Sequence, residues 1–151
     1  MDARLVSREL ISCFKKGKKC LIIGNGGSAA EASHLAAELI NKVYTYRQPL
    51  PAISLSADLA VITSIANDLG FKYVFSRQIE ALGKPGDVLI SLSTSGKSKN
   101  ILEAIKTAQD LGLKVISFPT NKETGTPTTA TQHTHLTMIH EISMQVEEYF
   151  L

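Results

Sequence analysis

The sequence predicts an α/β fold: a doubly wound parallel sheet of four to five strands flanked by helices. Three observations predict it. Short, continuous apolar runs such as CLII at 20–23 and VLISL at 88–92 read as strands buried on both faces. They alternate with longer stretches of helical period, which right-handed crossovers fold onto the two faces of the sheet. Two glycine- and serine-rich loops directly follow strands, at the carboxyl edge where such sheets take their ligands.

Residues 4–15 have a helical period, with Leu5, Leu10, Ile11 and Phe14 on one side, and Gly17 ends the helix. The first strand covers 20–23. A helix with almost no breakers covers 29–44, and Pro49 and Pro51 mark the loop after it. A second strand is expected at 52–55, a helix at 58–67, a turn at 67–70 and a helix at 74–82. The turn Lys84-Pro85-Gly86-Asp87 leads into the strand at 88–92. A helix at 99–111, stopped by Gly112, precedes the strand 113–118. The polar, threonine-rich 121–131 reads as loop, and 132–150 returns to a helical period.

Composition bounds the function. The 151 residues are 44% hydrophobic and 20% charged, which suits one domain over 1–151 with a core of its own. No run approaches the ~18 consecutive apolar residues of a membrane span, and the first twenty residues lack a signal-peptide pattern. The formal net charge of +2 is too small to imply nucleic acid. The basic run KKGKK at 15–19 reads as a solvated helix end. Cys13 and Cys20 are not in a CxxC spacing and suit a reducing cytoplasm.

The chemistry concentrates in four places. GNGGS (24–28) and STSGKS (93–98) each follow a strand and open a helix. Glycines let backbone N–H groups approach a ligand, and a helix N-terminus adds free donors and partial positive charge. Ser28, Ser93, Thr94, Ser95 and Ser98 add hydroxyls, so the two loops together form an anion site; singly, each serine also suits a cap or turn. Neither loop has Walker spacing or a GxGxxG fingerprint. The other two places are helical. His34 and Glu38 are four apart and share a face, where an imidazole and a carboxylate could both bind a divalent metal. Gln132 and His140, eight apart, share a face of the last helix. His133 and His135 read as loop-end or surface residues.

Taken together, these residues resemble the sugar isomerase (SIS) domain family, in its branch of seven-carbon sugar-phosphate isomerases. The matching runs are GNGGSAAEASHLAAEL, then the stretch from AISLSADLAV through SIANDLGFKY to STSGKSKNILEAI, then Q-x-x-H-x-x-x-x-H at Gln132, His135 and His140. The resemblance implies a five-stranded parallel sheet, a cytoplasmic homotetramer and active sites at subunit interfaces. It implies a phosphorylated sugar held by Asn25, Gly26, Gly27, Ser28, Ser93, Thr94, Ser95, Ser98 and Gln132, with Asp68 of the NDLG turn also facing substrate. It further implies one zinc ion (Zn2+) per subunit on His34, Glu38, Gln132 and His140. The implied reaction converts sedoheptulose 7-phosphate to glycero-manno-heptose 7-phosphate through an enediol. Glu38 then moves the proton and His140 serves as acid, or the two roles are reversed. Zinc would polarise the carbonyl.

The chain departs from the family in three ways. Its N-terminal arm is short. The segment between Phe118 and Gln132 is short and has no apolar run for a fifth strand. Ala130 and Lys42 stand where relatives often carry arginine, and lysine keeps the charge without the planar fork. The alternative is a non-catalytic SIS module that binds a phosphosugar or a protein partner such as a replication initiator. Such modules lack the acid of HxxxE and the final histidine; Glu38 and His140 are both present here. A phosphosugar-sensing domain of a regulator ranks lower, because no DNA-binding segment accompanies the chain.

Overall fold

The computed structural model describes residues 1–151. In chain order they form α1 (Ala3–Lys15), β1 (Cys20–Gly24), α2 (Gly27–Ile40), β2 (Ala52–Ser54), α3 (Leu59–Asp68), a 3-10 turn (Phe71–Tyr73), α4 (Ser76–Leu82), β3 (Val88–Leu92), α5 (Lys99–Asp110), β4 (Lys114–Ser117), α6 (Asn121–Thr124) and α7 (Thr128–Tyr149). The four strands lie in the order β2-β1-β3-β4, all parallel.

Every residue of β1 and β3 is buried, as continuous apolar runs require of strands covered on both sides. Successive side chains alternate between faces. Cys20, Ile22, Val88 and Ile90 therefore join a core with α1, α2 and α7, whereas Leu21, Ile23 and Leu89 join one with α4 and α5. Asp2 caps α1 by accepting from the Arg4 N–H at 2.8 Å. The buried stripe of α1 runs through Val6, Leu10, Cys13 and Phe14. Leu5, expected on that stripe, is 58% exposed because it lies about 100° around the helix from Val6.

Four further expectations change. The second helix ends at Ile40 rather than at 44. The helix expected from 74 starts at Ser76, after the 3-10 turn. The expected loop 121–131 is largely helical. Thr120 and Glu123 close a capping box that nucleates α6, and α7 begins at Thr128 rather than at 132. Hydroxyls of Thr124, Thr126 and Thr131 bond one another at 2.8–3.1 Å, which satisfies the buried Thr131. The fifth strand implied by the resemblance is therefore absent, since this segment holds no apolar run to pair with the sheet.

Lys19, from the basic run, does more than end a helix. Its backbone N–H and ammonium both bond the buried Asp87, which also accepts from the Lys84 N–H at 2.8 Å. Burial opposes ionisation of Asp87, but Lys19 and these donors outweigh it and hold the carboxyl below its ordinary value. This stitch lies at the amino edge of the sheet, opposite the serine loops. Cys13 and Cys20 are free and buried. Burial pushes the Cys13 thiol up to about 11 and the Cys20 thiol well above its ordinary value, so neither is a ready nucleophile. No helix is long and apolar enough to cross a membrane.

Candidate active site

The strand order reverses between β1 and β3, where Gly24 pairs with Leu92. GNGGS and STSGKS thus leave the sheet side by side, at the switch point where ligands of such folds bind. A reciprocal amide pair ties them together: Asn25 Nδ2 donates to Asn100 Oδ1 at 2.9 Å, and Asn100 Nδ2 donates to Asn25 Oδ1 at 2.8 Å. Asn100 is buried and also accepts from the Ile101 N–H. No local pattern in the sequence points to Asn100, whose partner lies 75 residues away.

The serines divide into two kinds. Ser93 Oγ accepts from the Gly96 N–H at 3.1 Å and Ser95 Oγ from the Lys97 N–H at 3.2 Å, so both hold the turn. Ser98 is the N-cap of α5 but makes no side-chain capping bond, which leaves its hydroxyl for an anion. Ser28 is buried in the first turn of α2, whose N-cap is Gly26. The first turns of α2 and α5 open beside each other, with the Ser28 N–H held by the Asn25 carbonyl at 3.0 Å and the Ile101 N–H by Asn100 Oδ1 at 3.0 Å.

Helix α7 runs alongside α2 in the same direction. Gln132 lies against Gly27, where a Cβ would collide with the glutamine amide; His135 lies near Glu31; His140 reaches Glu38. At this last point three groups converge. Glu38 Oε1 is 3.0 Å from His34 Nε2 and 3.0 Å from His140 Nδ1, and the two rings meet edge to face at 5.0 Å. The three ligand-type atoms lie within 4.8 Å of one another. Glu38 Oε2 is buried with no partner. Two imidazoles and a carboxylate are a donor set suited to zinc, and the orphan oxygen is an acceptor whose hydrogen-bonding capacity is unspent.

The other expected residues are spread more widely. Gln132 is two turns, about 12 Å, before His140 along α7, at the serine-loop end. Asp68 ends α3, is exposed, and accepts from its neighbour Asn67 at 2.8 Å. The α3 residues Ile62, Ile65 and Ala66 pack toward the other face of the sheet from α2 and α7. His133 is exposed as expected, but His135 is fully buried, because it falls on the core-facing stripe of α7 with Thr131, Met138, Ile139 and Ile142. Lys42 sits 3.8 Å over the Tyr46 ring. Ala130 offers only its carbonyl, to Thr134. Arg47, also missed, donates to the Glu38 carbonyl at 2.8 Å and so braces the end of α2.

Residues 4–119 match a family profile described as the SIS domain. A phosphoheptose isomerase from Campylobacter concisus is 46% identical, over 97% of this chain and 84% of its own length. One from Synechocystis sp. is 47% identical, over 89% of this chain and 76% of its own. The solved phosphoheptose isomerase of Neisseria gonorrhoeae superposes with a TM-score of 0.88 at 33% identity, covering 97% of this chain and 85% of that one.

Proposed function

The chain belongs to the SIS domain family, and from that premise we propose that it is an aldose–ketose isomerase of a phosphorylated seven-carbon sugar. It converts sedoheptulose 7-phosphate to glycero-manno-heptose 7-phosphate. The observation that carries this reading is the convergence of His34 and His140 on one oxygen of Glu38, with the other oxygen free.

The reaction moves a proton between C1 and C2 of the sugar through an enediol. Glu38 Oε2 is the base that carries it, since Oε1 is already taken by the imidazoles. His140 is the acid that delivers a proton to the oxygen becoming a hydroxyl. His34 holds the Glu38 carboxylate in orientation. The phosphate end rests on the N–H groups of Gly26 and Gly27, on the Ser28 hydroxyl and on STSGKS, where Ser98 offers its hydroxyl, Asn25 and Asn100 lock the two loops and Gln132 borders the sugar.

A zinc ion, one per chain, fits His34, Glu38 and His140, whereas Gln132, the further ligand that the resemblance implies, lies against Gly27 at the serine-loop end; when bound, zinc supplies Lewis acidity at the carbonyl oxygen. The whole of 1–151 acts as one SIS domain, a reading supported by α7 packing on α1 and α2. A cytoplasmic location is supported by the two free, buried thiols.

The active unit is a homotetramer with sites between chains. Asp68 then faces the sugar from a neighbouring copy. Helix α3 supports assembly: it buries no residue within the chain, and Leu59 at its start and Phe71 just beyond its end are 71% and 57% exposed. Light scattering is expected to give the mass of four chains; a monomer that turns over at full rate removes the interface sites.

The function is tested by incubation with sedoheptulose 7-phosphate and a panel of shorter ketose phosphates. Turnover of the seven-carbon substrate is expected, to be lost on chelation and restored by zinc. No turnover of any ketose phosphate by zinc-loaded protein refutes the enzyme reading, and full activity after chelation removes zinc from it.

A further inference from the structure

His135 is not needed for the chemistry above, yet it is fully buried, with its ring edge-on to Phe118 at 5.5 Å. Its Nε2 lies 2.7 Å from the Pro119 carbonyl. A carbonyl only accepts, so Nε2 carries the proton. The two residues after Pro119 grip the second serine loop. Thr120 places its methyl group 2.8 Å from where a Cβ on Gly96 would stand, and the Asn121 N–H donates to the Thr94 carbonyl at 2.6 Å. The segment 119–121 therefore bonds α7 on one side and STSGKS on the other.

The second ring nitrogen faces the other functional helix. His135 Nδ1 is 3.7 Å from Glu31 Oε2, and neither atom has another partner. Two acceptors do not face each other in a buried site without a proton or a water between them. Glu31 sits on α2 between Ser28 and His34, three residues from each. One imidazole thus touches the two helices that carry Glu38 and His140 and the segment that braces the phosphate loop.

We propose that His135 is a positioning residue that couples α7 to the STSGKS loop through Pro119–Asn121, and so sets how tightly the phosphate end of the substrate is held. The coupling rests on the reading of that loop as the phosphate cradle. Two pairs of variants in the full chain test it, read by KM and kcat for the phosphosugar and by competitive inhibition with inorganic phosphate.

His135→Leu is expected to raise KM and the phosphate inhibition constant about tenfold, the equivalent of one hydrogen bond, with kcat within about threefold because the chemical groups stay in place. His135→Gln keeps an N–H for the Pro119 carbonyl and is expected to recover most of the loss. Asn121→Pro deletes the N–H donor to Thr94 together with the side-chain bond to Thr128, the latter being lost in Asn121→Ala as well; position 121 opens α6, where proline is accepted, and Thr120 is extended at φ −88° and ψ 169°. It should raise both constants as His135→Leu does, whereas Asn121→Ala, which keeps the N–H, should leave them unchanged. If His135→Leu does not fold, the glutamine variant and the Asn121 pair carry the test. Unchanged constants in Asn121→Pro, or an equal rise in Asn121→Ala, overturn the coupling. A wild-type enzyme that inorganic phosphate does not inhibit overturns instead the cradle reading beneath it.

Discussion

Glu38→Gln is expected to lower kcat by about three orders of magnitude, the scale of a positioned proton-transfer group, while the melting temperature stays within about 2 °C. The amide has the size of the carboxylate and can still accept from His34 and His140 at one oxygen, so packing between α2 and α7 is kept. It cannot take up a proton from carbon, and its NH2 group replaces the free Oε2. KM should change little, because the serine loops proposed to hold the phosphate lie at the other end of α2. Metal content measured on the same sample separates loss of a base from loss of a ligand. A variant with near-normal kcat removes Glu38 from proton transfer.

Glu147→Ala is expected to be the most damaging change away from the site. Glu147 is 3% exposed and accepts from three consecutive backbone N–H groups, of Val43 at 2.6 Å, Tyr44 at 2.8 Å and Thr45 at 2.9 Å. Alanine leaves all three donors unpaired. The expected loss is about 3 kcal/mol, or roughly 6–12 °C in melting temperature for a chain of this size. Exposed Glu148→Ala should cost less than about 0.5 kcal/mol. Burial opposes ionisation of Glu147, but the three donors and Arg47 outweigh it, so its carboxyl titrates below the ordinary 4.5. A folded value below the unfolded one means that this stability is complete above about pH 4.5 and is lost as pH falls through the folded value. Urea melts between pH 7 and pH 3 check this. A wild type and a Glu147→Ala variant that lose stability in parallel on acidification contradict the assignment.

How much of the site was legible follows from the range of each signal. His34 and Glu38 share a face by spacing alone, and the meeting of His140 with them was expected only through the family resemblance. The placement of both serine loops at strand ends was legible, because continuous apolar runs mark buried strands. Asn100, Arg47, Glu31 and Glu147 were not, since each acts through a backbone or side-chain group that no local pattern points to. The loop expected at 121–131 failed for a different reason: threonine and asparagine suit both turns and helix caps, and the capping box of Thr120 and Glu123 settled it in favour of a helix.

By itself, the sequence determined the layered α/β architecture, the position of the two glycine- and serine-rich loops at the carboxyl edge of the sheet and the residue types available for proton transfer. These follow from periodicity, glycine placement and side-chain chemistry, all of which act over a few residues. Only the tertiary structure decided that α7 runs parallel to α2, which of its residues meets which, and that the buried His135 faces both Pro119 and Glu31. Those outcomes depend on how helices whose meeting residues, Glu38 and His140, are 102 positions apart pack over one sheet face, and packing of distant segments leaves no mark in local spacing.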